Sequence, residues 1–406
     1  MGYIPYAAVT NVTRLTKRDE KGILNTSKWP DSVVFRLDFV PGMTMQTVLR
    51  KTSHCAALDG VRGLSAFFVL LFHVGHWLEI PALSVNGGLS VDTFFTLSGY
   101  VLARAYKDRI DLVSNAEFLL QRLVRLMPII ALSLFISAPY VGLRNYLVTG
   151  DTHIGQVSAA FLLGITNIPY FYAPIQIGGP QIFPLNGPQF SLFFEIVANA
   201  FWWSLRRIDQ IYLSGILFVL SAFLVVTYGI GGDQANNFGY GFYHVGSSFF
   251  AGVFGYHVST RLAELFKSNL LFYTLLLAMV VLFTMPFELN FEGRMVWKLL
   301  LAPLLVLTGA TVQLSAATER ASVFSGELSY PVYALHYPIF CWTNGLYQRI
   351  HGGKSPGIEA VVFIALTMIV SYLALKYYDR PVRRRLASLL PDPRRRSIPR
   401  TFEGAS

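Results

Sequence analysis

The stretch LDGVRGLSAFFVLLFH, residues 58–73, decides the fold. It opens on an acid and an arginine, Asp59 and Arg62, and then runs through apolar residues to a histidine, His73. His73 stands eleven residues after Arg62, and at 1.5 Å per residue a helix carries the imidazole roughly 16 Å beyond the guanidinium. If Arg62 marks the edge of a bilayer, His73 sits near its midplane. His76 follows three residues later on a similar helical face. The apolar block that begins here covers 63–80, a length that crosses a hydrocarbon core.

Blocks of similar size follow at 89–106, 126–146, 189–205, 211–229, 240–258, 270–286, 296–316, 326–347 and 358–378. A further run, 157–165, is too short to cross alone. The expectation is an all-α integral membrane protein of about ten transmembrane helices. Composition agrees. Of the 406 residues, 53% are hydrophobic and 14% charged, against about 25% charged in soluble globular chains. A soluble fold of this length would lack the charge to cover its surface. The net charge of +10 is not read as a nucleic-acid footprint, because the positive residues form short clusters between apolar blocks and no zinc-finger spacing accompanies them. Cys55 and Cys341 lie far apart and suggest neither a disulfide framework nor a metal site.

The same clusters give a direction. Arg104, Lys107, Arg109, Arg122, Arg125, Arg206, Arg207, Arg261, Lys267, Arg320, Arg383–Arg385 and Arg394–Arg396 fall on one set of loops. The opposite set is poor in positive charge, with Arg144, Arg294, Lys298, Arg349 and Lys354 in or beside it. The positive-inside rule then places both termini in the cytoplasm. The long segment 147–188, rich in Pro, Gly, Ile and Tyr, becomes an external folded cap. Residues 1–53 read as a polar N-terminal extension with no apolar signal core, 54–386 as the membrane core, and 387–406 as a short basic cytoplasmic tail.

Ionisable groups inside apolar blocks need a reason to be there. A neutral imidazole at His73 suits proton removal near neutral pH; a core histidine satisfied across the bundle is the competing reading. Asp59 and Asp92 stand at helix starts, where negative charge is favoured. Arg122 and Arg125 share a face at a boundary and could clamp phosphates by paired hydrogen bonds or serve as ordinary topology charge. Glu195 lies about six residues, or roughly 9 Å, into an aromatic helix, where it must pair or stay protonated. His336 sits at mid-depth in SYPVYALHYP (329–338), among Tyr330, Tyr333 and Tyr337, and either lines a cavity or packs at a kink. A nucleophile elbow, a zincin helix and a P-loop are all missing from the sequence, and no ligand set accompanies His73 and His76 to make a metal site.

Five segments in this order resemble the membrane acyltransferase family 3, polytopic enzymes that O-acylate cell-surface sugars, lipids and some small molecules. They are LDGVRGLSAFFVLLFH, GLSVDTFFTLSGYVLARAY (88–106), RLVRLMP (122–128), FSLFFE (190–195) and SYPVYALHYP. The likeness covers roughly 54–386. Phe190 stands where the family has tryptophan, and Asp379 in YYDRPVRR (377–384) where glutamate is common. The resemblance implies that His73 is the catalytic histidine and that Glu195 works on the acceptor side or orients the site. It implies that Arg62, Arg122 and Arg125 bind the phosphates of a cytoplasmic acyl-CoA. Asp59, Asp92, His336 and Tyr333 would be substrate-side or structural. No permanently bound cofactor or metal is implied; acyl-CoA, with acetyl the default group, is the donor substrate. The acceptor would be a carbohydrate or lipid-linked hydroxyl, as in polysaccharide modification, at a bacterial inner membrane. A transporter of a small polar solute or saccharide is the alternative that residues alone leave open.

Overall fold

The computed structural model describes residues 55–80, 83–353 and 355–390. The expected extension 1–53 and the Arg394–Arg396 part of the tail lie outside these residues. The fold is all-α, and the β-pairing among the described residues is an isolated bridge between Gln181 and Gln234. In chain order the helices are α1 (Ala56–Trp77), α2 (Ser90–Tyr106), α3 (Asn115–Thr149), α4 (Ile154–Ile165), α5 (Gln189–Ser204), α6 (Gln210–Tyr228) and α7 (Phe238–Arg261). There follow α8 (Ala263–Phe266), α9 (Asn269–Thr284), α10 (Phe291–Val296), α11 (Ala302–Gly309), α12 (Ala316–His351), α13 (Pro356–Ala374) and α14 (Arg380–Ser388). π-helical turns, Trp297–Leu301 and Leu375–Asp379, join α10 to α11 and α13 to α14.

Local chemistry explains where several of these helices begin and stop. Ser114 and Glu117 form a reciprocal capping box at the start of α3. Side chains of Asp209, Ser268 and Ser315 cap α6, α9 and α12. α3 and α12 end on Gly150 and Gly352, both in the left-handed conformation at φ 76° and 69°. Pro128 and Pro139 in α3, and Pro331 and Pro338 in α12, lie within continuous helices.

Each apolar block read from the sequence falls on a helix except 296–316, which is divided among the end of α10, the first π-helical turn, α11 and the non-helical residues after it. Four stretches, α1, α3, α6 and Pro356–Ser388, are long and apolar enough to cross a membrane, and α4 and α9 are shorter apolar helices. The outward faces agree: α6 exposes Tyr212, Ile216, Val219, Leu220 and Phe223, and α13 exposes Ile358, Val361 and Ile369. Apolar faces this extended suit contact with lipid rather than water, so the chain is a multi-pass membrane protein.

Inside, α1 packs along α12, α2 and α6 along α7, and α12 against α3 and α13. The α2–α7 contact depends on two glycines. A Cβ on Gly99 would lie 2.0 Å from the Phe249 carbonyl oxygen, and one on Gly252 2.0 Å from that of Thr96. The helices therefore meet backbone to backbone, the close approach that small residues allow. The 166–188 segment folds onto the bundle. Asn186 is buried and donates to Ser133 Oγ at 2.8 Å and to the Ala334 carbonyl at 3.1 Å. Gln189 donates to the Gly164 carbonyl at 2.8 Å, tying α5 to α4.

One charge lies elsewhere than the sequence reading put it. Lys298, grouped with loop residues, is wholly buried in the first π-helical turn. Its ammonium pairs with the Asp92 carboxylate and donates to Ser248 Oγ at 2.8 Å and the His244 carbonyl at 2.9 Å. Asp92 is thus the anion of a buried ion pair binding α2 to α7 and the α10–α11 turn, beyond its place in the first turn of α2.

Two substitutions test these contacts by thermal unfolding in detergent micelles. Gly99→Ala forces α2 from α7 and is expected to destabilise by about 1–3 kcal/mol; an unchanged midpoint contradicts the close approach. Lys298→Met strands a buried carboxylate and is expected to cost about 3–5 kcal/mol, most of it recovered when Asp92→Asn is added. A single variant as stable as the wild type contradicts the pairing.

Candidate active site: two chambers around α12

Many of the polar groups inside the bundle line one of two chambers. The first encloses about 730 Å³ of open space. α1 gives it Arg62, α2 gives Phe94, Phe95 and Ser98, α3 gives Arg122 and Arg125, α5 gives Ser191 and Glu195, and α12 gives Ser329, Tyr330 and Tyr333. Arg62 is held by its neighbour one turn back, Nη1 donating to Asp59 Oδ1 at 2.7 Å. This is the use the structure makes of Asp59, which lines neither chamber. Arg122 and Arg125 project from one face of α3, as their spacing requires. The buried Nε of Arg122 has no hydrogen-bond acceptor among the described residues.

Glu195 shares this chamber with the three arginines. Ser98 donates to its Oε1 at 2.6 Å, linking α2 to α5. The carboxylate thus stands on the arginine side of the bundle and is absent from the wall around His73.

The second chamber is wider, about 1280 Å³. His73, His76 and Trp77 at the far end of α1 line it, with Asn86, Asp92, Gln181, Phe190, Asp233, His244, Glu288, Arg294 and Tyr337. His73 Nδ1 lies 2.9 Å from the Val69 carbonyl, one turn back. A carbonyl oxygen only accepts, so Nδ1 carries the proton and Nε2 is left with a lone pair. The ring is wedged between Trp77 and His336, with centroids 4.5 and 4.7 Å away.

His336 lines neither chamber. It is wholly buried behind His73, its Nδ1 3.2 Å from the Val332 carbonyl and its ring stacked on Trp77. Its Nε2 has no partner among the described residues. The sequence reading left cavity or packing open; the geometry is that of an aromatic support for His73.

Tyr333 and Val91 belong to the walls of both chambers. Tyr333 comes from α12 and meets Ser191 of α5, their oxygens 2.5 Å apart. Its ring lies 5.9 Å from that of His336 and 5.7 Å from Phe94.

Of the residues singled out in sequence, Arg62, Arg122, Arg125, Glu195 and Tyr333 thus come together in one chamber, and His73, Asp92 and Tyr333 in the other. Sequence reasoning passed over Ser191 and His244 and read Lys298 only as a charge in or beside a loop. A lysine inside the apolar run VWKLLLAPLL (296–305) was the available signal for the last. Ser98 and Ser191 are ordinary helix residues in sequence, and only tertiary packing sets them beside Glu195 and Tyr333.

An arginine-lined pocket thus adjoins a histidine-lined one, with Val91 and Tyr333 in the walls of both. Comparison with known proteins gives the family. A family model described as an acyltransferase domain, that of acyltransferase family 3, matches residues 56–376. The chain is similar to protein 2 of the picA locus of Rhizobium radiobacter, 34% identical over 160 residues, covering 37% of this chain and 82% of that protein. It is also similar to the O-acetyltransferase OatA of Staphylococcus aureus, 22% identical over 378 residues, covering 81% of this chain and 57% of OatA. The chain thus spans less than two thirds of the length of that relative. No solved structure matches it. With the family model matching well over half of its length, from the first residues of α1 into the π-helical turn after α13, the chain belongs to acyltransferase family 3.

Proposed function

We propose that this protein takes an acyl group, acetyl by default, from acyl-CoA in the cytoplasm and transfers it to a hydroxyl of a carbohydrate or related acceptor across the membrane. It does so as a protein of the bacterial inner membrane, with about ten crossings and both termini inside. The observation that carries this reading is the division of the site. Arg62, Arg122 and Arg125 line one chamber, His73 lines the other, and the two share Tyr333.

The donor half rests on charge and fork geometry. Guanidinium groups bind phosphates by paired N–H donors, and the unpaired Nε–H of Arg122 suits such a ligand. The acceptor half rests on wall chemistry. Aromatic rings of Trp77, Phe190 and Tyr337 line it together with the amide of Gln181 and the carboxylates of Asp233 and Glu288, a lining matched to a sugar's apolar faces and hydroxyl rim. His73 acts as general base: its Nε2 takes the hydroxyl proton as the acceptor oxygen attacks the thioester carbonyl. Glu195 steadies the arginine face and its neighbour Ser98 rather than contacting His73. Similarity to an O-acetyltransferase of Staphylococcus aureus supports the acyl class.

Membranes containing the protein, incubated with radiolabelled acetyl-CoA and fractionated, are expected to gain label in a glycan or glycolipid fraction. His73→Ala should lower transfer by about a hundredfold or more with an equal amount of folded protein; full activity contradicts the assignment. Arg122→Ala removes a charge-assisted contact worth about 1.5–3 kcal/mol, so the apparent KM for acetyl-CoA should rise about tenfold or more. An unchanged KM removes Arg122 from the donor site.

A further inference from the structure

The acyl-transfer reading leaves one requirement unmet: negative charge develops on the thioester carbonyl oxygen, and a donor must meet it. The three arginines do not reach the wall around His73, because they line only the first chamber. A group that serves must face both chambers, carry an O–H or N–H, and stand near His73. Among the described residues that line both, Val91 has no polar side chain, and Tyr333 does.

The shorter contact to the Pro188 carbonyl, made by Ser191, favours one direction for the Tyr333 proton. Ser191 Oγ donates its own proton to the Pro188 carbonyl at 2.8 Å. The 2.5 Å contact between Ser191 and Tyr333 is therefore donated by the tyrosine. The Pro188 carbonyl, 3.4 Å away, is a second and weaker acceptor for the same proton. The phenol is parked at the start of α5 on Ser191 and, more weakly, on the Pro188 carbonyl, and a stronger acceptor arriving between the chambers competes for it.

We propose that Tyr333 is the catalytic hydrogen-bond donor to the acyl carbonyl and the movable partition through which the acyl group passes. This inference rests on the acyl-transfer reading. The acyl end of the donor enters from the arginine chamber and displaces the Tyr333–Ser191 contact. Tyr333 O–H turns to the thioester carbonyl oxygen. The acceptor hydroxyl, from the His73 side, gives its proton to His73 Nε2 while its oxygen bonds to the carbonyl carbon. The carbonyl π electrons move onto the oxygen held by Tyr333. When they return, the carbon–sulfur bond breaks, and the thiolate takes the proton from the imidazolium. The ester leaves on one side and free thiol on the other, with Tyr333 keeping its proton throughout.

Tyr333→Phe keeps the ring and the partition and removes only the hydroxyl. With acetyl-CoA as donor, kcat is expected to fall about a hundredfold or more, with KM for acetyl-CoA within twofold of the wild type. Undiminished kcat, or a loss carried entirely by KM, overturns the proposal. A fluorinated tyrosine in place of Tyr333 has nearly the same shape and a more acidic hydroxyl, and serves if the phenylalanine variant does not fold. It is expected to shift kcat at an unchanged melting temperature, and an unmoved kcat overturns the proposal. Wild-type transfer beside a fully active Y333F defeats this inference alone. A wild type that transfers nothing defeats the acyl-transfer reading and the inference with it.

Discussion

A charge held at membrane depth must either be paired or face a cavity, because the surrounding hydrocarbon offers no hydrogen bonds and little dielectric relief. The interior of this bundle is arranged by that constraint. Lys298 and Asp92 satisfy it by pairing, with Ser248 and the His244 carbonyl completing the ammonium's shell. Arg62, Arg122, Arg125 and Glu195 satisfy it by opening onto a common chamber. His73 satisfies it as a neutral ring, its one N–H given to its own helix at Val69. Remove either the pairing or the chambers and α1, α2, α7 and α12 have no reason to turn their polar residues toward one another.

Close packing makes the constraint workable. Gly99 and Gly252 let α2 and α7 touch at the backbone, which brings Asp92 to the same level as Lys298 and His244. On the other side of the site, Gly63 and Gly326 do the same for α1 and α12, whose partners there are Ser325 and Asp59. That contact aligns His73 with His336, and Arg62 with the Ser329 and Tyr330 wall. The site's chemistry depends on small residues that take no part in it. Because α12 supplies both the support behind His73 and the tyrosine shared by the two chambers, it is the helix on which the two halves of the site meet.

Much of the fold was legible because apolar block length is a direct physical requirement. The blocks at 89–106 and 189–205 match α2 and α5 to within a residue. Where the sequence misled, polarity was mistaken for loop. α1 begins at Ala56 rather than 63, since Asp59 and Arg62 neutralise each other within the helix. α3 begins at Asn115, well before 126, on a capping box whose charged first turns an apolar window excludes. α12 gains its first turns from 316 for a similar reason. The site was legible as a set of residue types, His73 and the arginines above all. Its partition was not. Depth along a helix follows from counting residues, but which side of the bundle Glu195 faces follows only from packing, and it faces the arginines. Tyr333 stood out merely as one of several tyrosines near His336; its sharing of both chambers is a property of three helices at once.

On the proposed function, the donor and acceptor chambers meet at Tyr333. Photo-crosslinking tests it most directly, using an acyl-CoA analogue whose acyl end carries a diazirine, bound to the full-length protein in membranes and mapped by mass spectrometry. Adducts are expected on Tyr333, Val91 and Ser191, suppressed by excess acetyl-CoA. Adducts confined to the outer faces of α6 and α13, or unaffected by competitor, would contradict it.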